Sequence, residues 1–243
     1  MTSPQVLRHH DAADLADRAA ERLLATLIEL QADGRVAQLC LTGGRIAHQM
    51  YIKLGELVEG SALDPARLEL WWGDERFVPT DDPDRNAGPT LAVLAGHFPL
   101  APARTHPMPA ADGVVDAAAS AATYAKELDD TRFDLCLLGM GPDGHVASIF
   151  PDHPSSEPTN QTVIGVSDAP KPPAERISLT LPALNNSDEV WFLVSGLDKA
   201  PAVARAISGD VALPAARIHG GRRTLWLVDQ DAASGLPYFE CSV

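Results

Sequence analysis

The chain has 243 residues, enough for one large α/β domain or two small ones, and 45% of them are hydrophobic, an ordinary supply for a buried core. Its 33 acidic residues against 19 basic ones give a formal net charge of −14, which argues against a general nucleic-acid or anionic-membrane surface, since such partners need a basic footprint. An anionic ligand must then be drawn in by a local group of Arg, Lys and backbone N–H donors, so the positions of the few basic residues carry information.

From the N-terminus, "DAADLADRAAERLLATLIELQADG" spaces Leu15, Ala19, Leu23, Leu27 and Leu30 by three or four and stops at Gly34, which predicts an amphipathic helix. The N-terminal residues hold no continuous apolar stretch, so no leader is expected, and no window approaches the roughly 18 uninterrupted apolar residues of a membrane span. "VAQLCLTGG" reads as a short buried strand running into glycines, and "RIAHQMYIKLGELVEG" as the helix after it. "LELWWGDE" predicts a strand, "AGPTLAVLAGHF" and "AAASAATYAKELD" two helices, and "FDLCLLGMG" another buried strand. The strands "TVIGVSD", "RISLTL" and "EVWFLVSG", the helix "LDKAPAVARAIS" and the strand "RTLWLV" complete the series. Apolar strands alternating with helices imply an α/β fold with a largely parallel sheet and helices on both faces. The Pro-rich pieces "HFPLAPARTHPMP" and "SDAPKPPAE" read as loops, with periodic elements continuing on either side. The expectation is a single domain over residues 1–243.

Cys40, Cys136 and Cys241 make neither a CxxC nor a His-paired metal spacing. They read as small buried hydrophobes in a reducing compartment, so the expectation is a soluble cytoplasmic protein with no metal site.

Open α/β sheets bind ligands beyond the carboxyl ends of their strands. Four predicted strand ends carry polar or Gly-rich sequence: Thr42–Arg45, Gly73–Arg76, Gly141–His145 and Ser195–Lys199. Gly43 and Gly44 at a strand-to-helix turn would let an anion reach backbone N–H groups, although two glycines there are more often only a tight turn. Asp74, Glu75 and Arg76 follow a buried strand, which directs them into a cleft; otherwise they are a solvated ion pair. His145 is the strongest general-base candidate, with Asp143 two residues away to orient its ring. Lys199 stands in the first turn of a helix, where the dipole disfavours a cation unless an anion is shared there. Arg176 and Lys171 either add charge to the same cleft or are surface residues. Walker, HExxH, GxSxG and CxxC motifs are absent.

Taken in order, "LTGG", "WWGDERFVP…DDPDRN", "FDLCLLGMGPDGHVASIFPDH", "RISLTLPAL", "EVWFLVSGLDKA" and "TLWLVD" resemble the lactonase branch of the glucosamine-6-phosphate isomerase/6-phosphogluconolactonase family, from about Leu39 to Asp229. The deaminases of that family share the Gly-Gly turn and the DGH loop but usually follow the His with an Asn-Glu-Pro-type segment. Here the loop continues "VASIFPDH". The resemblance implies a fold like that of glucosamine-6-phosphate deaminase and ribose-5-phosphate isomerase. It implies hydrolysis of 6-phospho-D-glucono-1,5-lactone to 6-phospho-D-gluconate in the oxidative pentose phosphate pathway, with no cofactor and no partner beyond the sugar phosphate, as a monomer or weak homo-oligomer.

In that setting His145 would activate water, Asp143 would orient it, and Arg76 would stabilise the oxyanion. The 6-phosphate would sit on Gly43, Gly44, Lys199 and Arg176 or Lys171, with Asp74 and Asn86 as hydroxyl or supporting contacts. The family's first loop usually continues past its glycines with Ser-Thr-Pro, whereas this chain goes straight to "RIAHQMY". Arg45 then stands where a hydroxyl ligand is missing. A sugar-phosphate deaminase or isomerase using Asp74 or Glu75 as base, and a non-catalytic sugar-phosphate sensor, are the alternatives.

Overall fold

The computed structural model describes residues 4–113 and 116–237. Ten strands and six α-helices lie among them: β1 (Gln5–His9), α1 (Ala12–Leu30), β2 (Ala37–Leu41), α2 (Arg45–Val58), β3 (Leu68–Trp72), β4 (Asp74–Arg76), α3 (Ala87–Ala95), β5 (Thr105–His106), α4 (Ala117–Leu128), β6 (Phe133–Leu138), β7 (Val163–Val166), β8 (Arg176–Leu179), α5 (Leu181–Asn185), β9 (Ser187–Val194), α6 (Ala200–Ile207) and β10 (Arg223–Asp229). Seven strands form one parallel sheet in the order β1-β10-β9-β6-β2-β3-β5.

The hydrophobic pattern explains that sheet. Every residue of β6 is buried, as a strand covered on both faces must be. In register at its centre, Cys40 lies between Cys136 and Trp71. Both cysteines are free and buried, as read from sequence, while Cys241 falls outside the described residues. Helix α1 starts where the Asp11 carboxylate accepts from the N–H groups of Ala13 and Asp14, and it lays its Leu stripe against α2 and the sheet.

The structure changes the sequence reading at several places. "LELWWGDE" is not one strand: Gly73 donates to the Leu41 carbonyl on one side and accepts from Leu179 N–H on the other, and there the chain passes from the large sheet into a second one. That second sheet, β4-β8-β7, is antiparallel, so "TVIGVSD" and "RISLTL" do not extend the parallel array. Helix α4 packs against it. The first Pro-rich piece contains the edge strand β5, and β1 precedes the first predicted helix. Each is short enough that pairing to a preformed sheet, rather than local pattern, makes it a strand.

Candidate active site

The carboxyl ends of the neighbouring strands β2, β6 and β9 open on a cavity of about 270 Å³, walled on another side by β4 and β8. Thr42–Ala47, Gly139–Pro142, His145, Ala147, Ser195 and Lys199 line it, together with Asp74, Arg76, Asn86 and Arg176. All four polar strand ends marked in the sequence contribute to it.

One end holds the proton carrier. His145 Nδ1 lies 2.5 Å from Asp143 Oδ1, and its ring rests 4.8 Å from that of Phe150. With Nδ1 facing a carboxylate it carries the hydrogen, which leaves Nε2 as the free base. Burial pushes the Asp143 carboxyl up, but the hydrogen bond and charge of His145, with Lys171 behind them, hold it far below the usual carboxylate range. The carboxylate is therefore ionised and available to steady an imidazolium. A Cβ on Gly141 would stand 2.1 Å from the His145 ring and 2.5 Å from Asp143 Oδ1. Gly141 thus makes room for the His–Asp pair itself.

The other end is made of unsatisfied positive groups. Helix α2 begins at Gly44 with φ of 98° and no side-chain cap, so its first N–H groups are left to whatever fills the cavity. Arg45 and Lys199 flank that turn. Burial, then the nearby charges of Arg45 and Lys171, lower the Lys199 ammonium below the ordinary lysine range, against a partial offset from Asp198 and Asp229. Lys199 ends a short turn at Leu197–Lys199 and stands at the N-cap position of α6 without a side-chain cap. That turn is anchored by Asp229, which accepts from Ser195 Oγ at 2.6 Å and Gly196 N–H at 3.1 Å.

Between the two ends, Asp74 accepts from Ser148 Oγ at 2.8 Å and from Asn86 Nδ2 at 3.3 Å. Arg176 donates to the carbonyls of Pro173, Lys171 and Pro172, so the second Pro-rich loop presets its guanidinium. Burial lowers its pKa, partly offset by Asp74. Arg76 donates to the Asp84 carbonyl, while its buried Nε has no partner.

A profile of the family described as glucosamine-6-phosphate isomerases/6-phosphogluconolactonase matches residues 10–226. The chain belongs to this family. A 6-phosphogluconolactonase of Streptomyces coelicolor is 47% identical, over 97% of this chain and 95% of the relative, and the human 6-phosphogluconolactonase is 34% identical over 88% and 90%. The crystal structure of 6-phosphogluconolactonase from Thermotoga maritima superposes with a TM-score of 0.81 at 27% identity, covering 93% of this chain and 99% of that one. A monomeric glucosamine-6-phosphate deaminase shares the fold, with a TM-score of 0.80 at 22% identity over 95% and 99% of the two chains.

As a member of the glucosamine-6-phosphate isomerase/6-phosphogluconolactonase family, the chain brings nearly all the sequence candidates to one cavity, with three changes of place. Glu75 does not face the cleft: it is 0% exposed and accepts from the N–H groups of Arg76, Asn86 and Ala87, with Arg85 3.5 Å away. It secures the start of α3, and burial raises its pKa despite those donors. Lys171 does not line the cavity. Its Nζ pairs at 3.6 Å with Asp143 Oδ1, beside His145, while its charge is also felt at Lys199. Gly43 is needed for Asn86, whose Oδ1 stands 1.9 Å from where a Cβ would be, so of the two glycines Gly44 is the one left to a ligand. A residue without a sequence signal also enters: Ala147, in the left-handed region at φ of 47°, with Ser148 buried beside it. A small residue after a Gly-rich loop has nothing to distinguish it until the turn is folded. Among the described residues no group of three His, Cys, Asp or Glu side chains is placed to hold a metal ion, and no helix is long and apolar enough to cross a membrane.

Proposed function

We propose that this protein hydrolyses 6-phospho-D-glucono-1,5-lactone to 6-phospho-D-gluconate, the lactone-opening step of the oxidative pentose phosphate pathway, and that residues 1–243 act as one domain. The observation that carries the reading is the polarity of the cavity, a His–Asp pair at one end and an uncapped helix start with Arg45 and Lys199 at the other. A lactone with a phosphate at its far carbon has the same polarity.

His145 Nε2 takes a proton from water as its oxygen adds to the lactone carbonyl carbon. The carbonyl electrons move onto oxygen, and Arg76 stabilises that oxyanion, an interaction worth about 3–4 kcal/mol where single donors have been removed. Collapse breaks the bond to the ring oxygen, which takes the proton back from His145, and the new carboxylic acid ionises in solution. Asp143 holds the ring and offsets its transient charge. Asp74 and Asn86 meet sugar hydroxyls. Gly44, Arg45, Lys199 and Arg176 hold the phosphate, with Gly43 shaping the turn. Lys171 acts through Asp143 rather than on the phosphate. The carbon-acid base that a deaminase needs has no support at Glu75, whose carboxylate is spent on backbone donors.

Freshly made lactone should disappear faster with the protein than in buffer, and glucosamine 6-phosphate should release no ammonia. A rate equal to spontaneous opening from well-folded protein would overturn the proposal.

A further inference from the structure

The turn that follows His145 is held by a side chain that the hydrolytic scheme does not use. Ser148 is 0% exposed, and its hydroxyl donates to Asp74 Oδ2 at 2.8 Å. Its own N–H donates to Ser178 Oγ at 3.2 Å. One residue earlier, Ala147 lines the cavity with φ of 47°, a conformation that is unfavourable for a residue with a Cβ and persists only where its surroundings impose it. Paired hydrogen bonds between Val146 and Ile149 close the turn, and Gly141 N–H donates to the His145 carbonyl at 3.0 Å. Ser148 is the point at which this closed turn is fastened to the opposite wall.

Asp74 carries the connection onward. Its other carboxylate oxygen accepts from Asn86 Nδ2, which also donates to the Asp74 carbonyl at 3.0 Å. A buried hydroxyl facing a buried carboxylate is a charge-assisted bond, and removing the hydroxyl strands an acceptor at Asp74, which is 7% exposed.

We infer that Ser148 is a positioning residue: through its bond to Asp74 it sets the separation between the His145 base and the carboxylate that receives the sugar. The inference rests on the proposed contact of Asp74 with substrate. Among the described residues Ser148 itself bonds only to Asp74 and Ser178, not to Gly44, Arg45, Lys199 or Arg176, so inorganic phosphate binding does not depend on its hydroxyl. An error of about 1 Å in the placement of a reacting group costs on the order of 100-fold in rate, so Ser148→Ala should lower kcat by roughly 10- to 100-fold. Ser148→Thr, which retains the hydroxyl, should recover most of that.

The test is a kinetic cycle of wild type, Ser148→Ala, Asp74→Asn and the double variant, with competitive inhibition by inorganic phosphate measured for each and near-UV circular dichroism as the check of folding. The expected result is a fall in kcat for Ser148→Ala with phosphate inhibition unchanged, and a double variant no worse than Asp74→Asn alone. Wild-type kcat in Ser148→Ala, multiplicative losses in the double variant, or weakened phosphate inhibition in step with kcat would each overturn it. Wild-type kinetics in Asp74→Asn would instead remove the substrate contact on which it rests, whatever Ser148→Ala does.

Discussion

The two ends of the cavity are built on opposite principles. At the His145 end the base is already fixed: the ring is held by Asp143 and Phe150, Asp143 also by Lys171, and Gly141 has the pair pressed against it. At the Lys199 end the charges lack partners: Arg45 and Lys199 stand near one another and take part in no ion pair among the described residues, and α2 opens without a cap. Proton transfer needs a base fixed before the substrate arrives, whereas anion binding needs donors left unsatisfied until it does. The net charge of −14 sharpens the second requirement, because an acidic surface gives no general attraction for a phosphate.

That contrast predicts that variants at the two ends fail differently. His145→Ala should lose about 1,000-fold in kcat, the middle of the range for a lost general base, while inorganic phosphate still inhibits with its original constant. Stopped assays on fresh lactone measure the first and competition the second; loss of both together would break the division into two ends. Gly141→Ala forces the His–Asp pair apart by steric overlap and should cost on the order of 100-fold in kcat with KM little changed. A larger effect on KM than on kcat would place Gly141 against substrate instead.

Lys199→Met should do the reverse, raising KM and the dissociation constant of 6-phosphogluconate by about 10- to 100-fold with kcat nearly kept, the range expected for one charged hydrogen bond. Because burial holds the Lys199 ammonium below the ordinary lysine range, its positive charge is lost as pH rises through that lowered value. Calorimetry at rising pH should therefore show 6-phosphogluconate binding weaken before an ordinary lysine, at about 10.4, would deprotonate. In Lys199→Met that weakening should vanish. Lys171→Gln should have the smallest effect, a change of about 3-fold or less in kcat, since its ion pair with Asp143 is half-exposed. Phosphate inhibition unchanged in that variant fits its place at the His145 end, and a large loss would move it to the cationic end.

Much of this was legible in the chain. The parallel sheet follows from the apolar runs, and the cavity from four polar strand ends, because a buried strand that stops in Gly, Asp or His marks where the backbone leaves the core. What escaped depends on partners distant in sequence. Glu75 and Asp74 are neighbours with the same charge and the same local pattern, yet successive residues of a strand face opposite ways. One carboxylate therefore closes the start of α3 and the other enters the cavity. Lys171 carried the right charge and the wrong address, since the loop from Ser167 to Glu175 delivers its ammonium to Asp143 and its carbonyls to Arg176.

By itself, then, the sequence determined the inventory: which strands are buried, which of their ends are chemical, and that His145 and Lys199 stand at separate ones. Only the tertiary structure decided the use of each group. The passage of the chain through Gly73 from one sheet to the other brings Asp74 across to Ser148. The closeness of Gly141 to His145 and of Gly43 to Asn86 decides what those glycines are for. The physical reason is range: hydrophobic period and turn chemistry act over a few residues, whereas a hydrogen bond between residues 74 positions apart exists only once both sheets have closed on the same cavity.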